Sequence, residues 1–188
     1  TIPTGGGTGI SNFDFTIDWG DGNTETITGD DPDPNHTYSS AGTYRVEITG
    51  TFPHMYLDND TNNAPKLQTI EQWGDIQWES MGSMFEGAVN MTYNASDVPD
   101  LTSVTTMIEM FRGASSFNGD ISDWDVTNVT NMSNMFREAS NFNQPLDSWG
   151  EKVASVTDMR FMFKLAPSFN QPLNSWNVSS VTDMWQMF

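Results

Sequence analysis

Cysteine is missing from all 188 residues, which excludes disulfides, thiolate metal sites and a cysteine nucleophile while leaving the redox compartment open. Cations are scarce. Seven Lys and Arg stand against twenty-five Asp and Glu, for a formal net charge of −18. Such a surface repels phosphate backbones and anionic head groups, so nucleic acid and membranes are poor partners. It suits salty, divalent-rich surroundings where self-repulsion is screened, so the expected setting is extracellular or at a cell surface. Leucine is scarce too, with six against twelve Met and twelve Phe, so thioethers and rings must fill the core. No apolar run approaches the roughly 18 residues of a membrane span, and nothing reads as a signal peptide. The chain opens on Thr1 and stops at Phe188 inside a repeat, so it reads as a piece of a longer polypeptide with an open C-terminal apolar side.

What is abundant is internal repetition. Met-x-x-Met-Phe occurs five times, at Met81/Met84/Phe85, Met107/Met110/Phe111, Met132/Met135/Phe136, Met159/Met162/Phe163 and Met184/Met187/Phe188, spaced by 26, 25, 27 and 25 residues. Val104, Val129, Val156 or Val181 precedes the first Met by three places, with Trp78 in the first copy. Ala88, Ala114, Ala139 or Ala166 follows the Phe by three. Apolar residues at i, i+3, i+6, i+7 and i+10 predict one short amphipathic helix per repeat. Ser103, Asn128, Ser155 and Ser180 stand at its N-cap, with Asp158 and Asp183 completing capping boxes. Between stripes lie Phe117-Asn118, Phe142-Asn143 or Phe169-Asn170, then Ile121, Leu146 or Leu173, then Trp124, Trp149 or Trp176. This segment is expected to give one brief strand per repeat, and the extra residues around Gly150 to Lys152 to sit on an edge. The predicted fold is an α/β solenoid, a leucine-rich-repeat-like array of five strand-helix repeats.

The run Trp-Asp-Val-x-Asn-Val-Thr-Asn-Met-x-x-Met-Phe, from Trp124 to Phe136, resembles the BspA-like bacterial surface-protein repeat, a leucine-rich-repeat relative. The resemblance covers about residues 67 to 188. It implies a right-handed solenoid, a surface-exposed, adhesion-type protein and no enzymatic activity. The first copy departs from the pattern, with Met91 in place of Phe and Val98 in place of Trp. Upstream, Phe13, Phe15, Ile17 and Trp19 alternate as in a half-buried strand, Asp21-Gly22 suits a two-residue hairpin turn, and Tyr44, Val46 and Ile48 alternate again. With Trp-Gly-Asp-Gly at Trp19 to Gly22 and His36-Thr37-Tyr38, this stretch resembles part of a PKD-like β-sandwich. The expected organisation is a β-rich cap over 1–52, a connector over 53–66, and five repeats over 67–188, truncated at the C-terminus.

Catalytic signals are thin. His36 belongs to the PKD-like signature and is expected to be a structural hydrogen-bonder, His54 lacks a recognisable partner spacing, and Gly5-Gly6-Gly7 lacks the strand-to-helix context of a phosphate loop. Asn118, Asn143 and Asn170 are expected to bond neighbouring backbone, and Trp124, Trp149 and Trp176 to pack in the core with their face undetermined. Carboxylates cluster at Asp120, Asp123 and Asp125, at Asp18 and Asp21, and at Asp30, Asp31 and Asp33. None has EF-hand spacing, yet oxygen ligands on so acidic a chain make Ca²⁺ the expected cofactor, with Asp120, Asp123, Asp125, Asp18 and Asp21 as ligands. The expected function is a non-enzymatic adhesion module that binds a protein or cell-surface glycan, or a second copy of itself in Ca²⁺. The alternatives are a passive spacer and, third, a polysaccharide hydrolase.

Overall fold

The computed structural model describes residues 1–5, 10, 12–30 and 32–188. Gly6 and Gly7 of the glycine run and Asp31 lie outside them. The entry segment forms three antiparallel strands, β1 (Phe13–Asp18), β2 (Thr24–Gly29) and β3 (Glu47–Thr51), in the order β2-β1-β3. The two-residue alternation turns Phe13, Phe15 and Ile17 inward. Phe13 and Phe15 meet Phe52 edge-on at 6.0 and 4.8 Å, and Phe52 meets Trp78 at 5.9 Å, so sheet and repeats share one core.

The β1–β2 connection is longer than the two-residue turn expected at Asp21-Gly22. It spans Trp19 to Asn23, closed by Trp19 N–H donating to Asn23 O at 3.0 Å, with positive φ at Gly20 and Gly22 only. Gly20 is obligatory, since a Cβ there would stand 2.2 Å from the Arg45 carbonyl oxygen. Tyr44 and Val46 lie outside the strands. Tyr44 stacks instead on Tyr38 at 3.9 Å.

The repeats overturn the strand-helix reading. No α-helix occurs among the described residues, only 3-10 helices at Ala64–Lys66 and Asp147–Val153. Each stripe is a chain of tight turns: Met84 N–H donates to Met81 O, Met110 to Met107, Met135 to Met132 and Met162 to Met159, at 3.2–3.4 Å. Bonds three residues back return the chain inward every third residue, which produces the apolar spacing without an i to i−4 ladder.

The intervening amides leave the repeat altogether. Met132, Asn134, Phe136 and Glu138 donate to the carbonyls of Asp158, Arg160, Met162 and Lys164, each at 2.9 Å. Two local devices enforce this. Asp158 and Asp183, expected in capping boxes, accept instead from the amides two residues ahead, Arg160 at 3.0 Å and Trp185 at 2.9 Å. Ser83, Glu109, Asn134, Phe161 and Gln186 then take left-handed φ between 48° and 58°, a conformation that no α-helix interior tolerates.

Strands too are misplaced by the sequence reading. The only strand pair in the repeats is β4 (Thr69–Ile70) with β5 (Thr92–Tyr93), in parallel. The remaining parallel contacts are single bridges, Gln77↔Asp100 and, where helices were expected, Thr106↔Asn131, Asn131↔Asp158 and Asp158↔Asp183. The leucine-rich-repeat solenoid is therefore replaced by stacked turns.

Copies register ring on ring. Phe85, Phe111, Phe136, Phe163 and Phe188 stack successively at 5.5–5.7 Å, and Phe117, Phe142 and Phe169 form a second column at 5.7–5.9 Å. Threonines add a third column: Thr130, Thr157 and Thr182 each donate through N–H (2.8 Å) and Oγ1–H (3.1 Å) to the carbonyl of the preceding Thr. The extra residues near Gly150 form the Asp147–Val153 helix, kinked at Gly150.

The connector closes the first copy. Asn59 N–H donates to Glu86 O at 3.2 Å, and the buried His54 donates from Nε2 to Gly82 O at 3.1 Å, in the place a preceding repeat would occupy. On the last copy Met184, Trp185 and Phe188 are exposed.

Candidate ligand cleft

A cleft of about 190 Å³ opens where the first copy departs from the repeat pattern. Val98, in the position of a repeat Trp, leaves that place unfilled and is itself 51% exposed. β5 carries Tyr93 to the cleft, where its hydroxyl accepts the Trp73 indole N–H at 2.8 Å. Gly119 backs directly onto that ring, since a Cβ at 119 would stand 2.5 Å from Tyr93 Cβ. Burial pushes the Tyr93 phenol up, and its hydrogen bond from Trp73 opposes the shift.

Three carboxylates share the lining: Asp97, Asp120 and Asp123. Asp97 is fixed by the Trp73 amide, 3.1 Å from each carboxylate oxygen, and by the Gly74 amide at 2.8 Å. Asp120 Oδ1 accepts the Ser122 N–H at 3.0 Å. At the same cleft lies Trp124, only 1% exposed and edge-on to Trp73 at 5.4 Å. Its Nε1–H forms no hydrogen bond of good geometry, although the indole bears on the Tyr93 hydroxyl. The equivalent indoles are satisfied: Trp149 donates to Ile121 O at 3.2 Å and Trp176 to Leu146 O at 2.8 Å.

Of the expected calcium ligands, the fold brings only Asp120 and Asp123 to one cleft. Asp125 turns to the Thr127 N–H and Oγ1–H, and the Thr127 hydroxyl holds its carboxyl below the usual range. Asp18, the last residue of β1, accepts from Gly20 N at 2.8 Å, and Asp21 in the β1–β2 loop accepts from Asn23 and, at 2.8 Å, from His36 Nε2 beyond β2. The His36 bond is the main cause holding the Asp21 carboxyl low. Asp33 accepts the Thr4 N–H at 2.7 Å. Among the described residues no three or more His, Cys, Asp or Glu side chains are placed to hold a metal. The short aspartates Asp18, Asp21, Asp120 and Asp125 bend back onto nearby donors.

The remaining sequence candidates make contacts within the fold. His36 stacks on Trp19 at 4.9 Å. Asn118 and Asn143 accept, through Oδ1, the backbone N–H of Asn143 and Asn170 at 2.9 Å. Trp124, Trp149 and Trp176 are buried. Sequence reasoning missed Tyr93 and Asp97, though the departures at Met91 and Val98 already marked the irregular copy.

The fold and cleft define a turn-built repeat protein whose successive copies are bonded backbone to backbone. A family model described as "Mycoplasma protein of unknown function, DUF285" matches residues 53–151 and 79–188, and the chain belongs to that family. No curated protein and no solved structure matches it. No helix among the described residues is long and apolar enough to cross a membrane.

Proposed function

We propose that the chain is a non-enzymatic binding module of a bacterial surface or secreted protein, engaging a protein or glycan ligand. The single observation that supports it is the cleft, where Asp97, Asp120 and Asp123 line one opening beside the irregular first copy. The resemblance of residues 124–136 to the BspA-like surface repeat and of the entry segment to a PKD-like module points to the same setting.

The test is a glycan and protein array probed with the whole chain and with Asp120→Asn/Asp123→Asn. Capture by the wild type and loss in the variant supports the reading; equal capture, or none, refutes the cleft's role. A passive spacer is the second reading, favoured by the backbone ladder that joins consecutive copies, which makes a stiff unit. Absence of any captured ligand supports the spacer.

A further inference from the structure

From the open side of the entry sheet we infer a further binding surface: β3 takes an extended protein segment as an added strand, and that segment carries a Lys or Arg side chain. The surface is separate from the cleft at Tyr93, and the inference does not rest on that cleft. In the order β2-β1-β3 the middle strand is paired on both sides, which leaves β3 with one side open. β3 pairs with β1, and among the described residues no other segment pairs with it. Such an edge is a row of unpaired N–H and C=O groups, normally blunted by Pro or Lys. β3 reads Glu-Ile-Thr-Gly-Thr and has neither. Its one charge, Glu47, stands at the start of the strand and pairs with Arg45 at 3.0 Å.

A cleft of about 240 Å³ lies against this edge, between Gly50, Thr51 and Pro53 on one side and Asp75, Gln77 and Glu79 of the first copy on the other. The two walls are tied where Glu79 N–H donates to Pro53 O at 2.9 Å. Strand addition draws affinity from main-chain hydrogen bonds and specificity from pockets that receive alternate side chains, and here an edge and a pocket adjoin. Asp75 and Glu79 select the side chain. Both are exposed, and neither carboxylate has an ion pair or a hydrogen bond. By contrast Asp97, Asp100, Asp120 and Asp125 each bend onto a neighbouring amide. A cationic segment also complements the net charge of −18, which favours encounter, whereas a second copy of the chain meets like charge. A glycan has no backbone amides with which to continue the sheet, so the partner is a protein segment.

The experiment is a ¹H–¹⁵N titration of the full chain, with amide hydrogen exchange, against a set of synthetic hexapeptides that alternate Thr and Val around one Lys. Two control sets replace the Lys by Glu or methylate alternate backbone amides. Lysine peptides are expected to bind saturably and to slow exchange of the amides within 47–51 that do not donate to β1. Asp75→Asn/Glu79→Gln should bind them about tenfold more weakly, through loss of charge-assisted hydrogen bonds. Both changes are at exposed positions, and an unchanged urea midpoint checks that the variant folds. Asp120→Asn/Asp123→Asn should bind the lysine peptides as the wild type does. Absence of saturable binding by every lysine peptide overturns the inference. So does equal binding of the Glu set, which removes the charge, or of the methylated set, which removes the added strand. Protection that appears outside β3, or a loss in Asp120→Asn/Asp123→Asn equal to that in Asp75→Asn/Glu79→Gln, overturns it as well. None of these failures touches the array experiment on the Tyr93 cleft.

Discussion

Truncating Phe136 is expected to cost far more than truncating Phe188, although both occupy the last position of the same motif. Phe136 is fully buried, stacked between Phe111 and Phe163 at 5.6 and 5.5 Å and face to face with Phe142 at 4.1 Å. Phe188 is 73% exposed and touches one ring, Phe163, at 5.7 Å. Removing a buried Phe side chain to Ala costs about 3–5 kcal/mol, including the cavity, and each lost ring pair belongs to that sum. Phe136→Ala should therefore lose about 4 kcal/mol. For Phe188 only about a quarter of the side chain is removed from water, and full burial is worth about 1.5–3 kcal/mol, so Phe188→Ala should lose under about 1 kcal/mol. Total stability of a domain is about 5–15 kcal/mol, so Phe136→Leu serves as the milder companion. Urea unfolding followed by tryptophan fluorescence reads both shifts through the midpoint, provided that the slope is unchanged. Losses equal to within about 1 kcal/mol would refute ring-on-ring stacking as the interior's main support.

Three further outcomes follow from the turns and the cap. Asn134→Ala should lower stability by about 1 kcal/mol, because position 134 is left-handed, whereas in a helix interior the same change would raise it, and the same urea titration decides. Asn143→Ala removes the acceptor of Asn170 N–H and of Gln171 Nε2–H and should lower the midpoint by about 1 kcal/mol, read by thermal or urea melts. Burial holds the His54 imidazole below its ordinary value of 6.5. The unfolded chain then binds the proton first, so stability is complete above that value and falls with pH below it, by up to about 1.4 kcal/mol per unit until the folded value is reached. Melting temperatures between pH 7.5 and 5 should show this decline in the wild type and a flatter profile in His54→Gln, which keeps an N–H donor for Gly82 O; parallel profiles contradict the assignment.

The cleft was only half legible in the sequence. Asp120 and Asp123 stood out as a local cluster, but Asp97 is more than twenty residues away and reaches them because β5 pairs with β4 and carries its neighbours alongside. Asp125, adjacent to both in sequence, is captured by Thr127. Spacing alone does not distinguish a carboxylate that points outward from one bent onto its own backbone.

Five copies, the inward-facing stripe of each, and a core of rings and thioethers are all readable from the order of the residues. Burial follows from apolar character, so Met107, Phe111, Phe117 and Trp124 are inside whatever backbone carries them. The backbone conformation is set by contacts between copies. A three-residue apolar spacing satisfies a helix and a series of tight turns equally well. The choice depends on where the intervening amides find acceptors, and those acceptors, such as Asp158 O for Met132 N–H, lie in the next copy. Helix and turns bury the same stripe, so the hydrogen bonds between copies, not the pattern within one, select the turns.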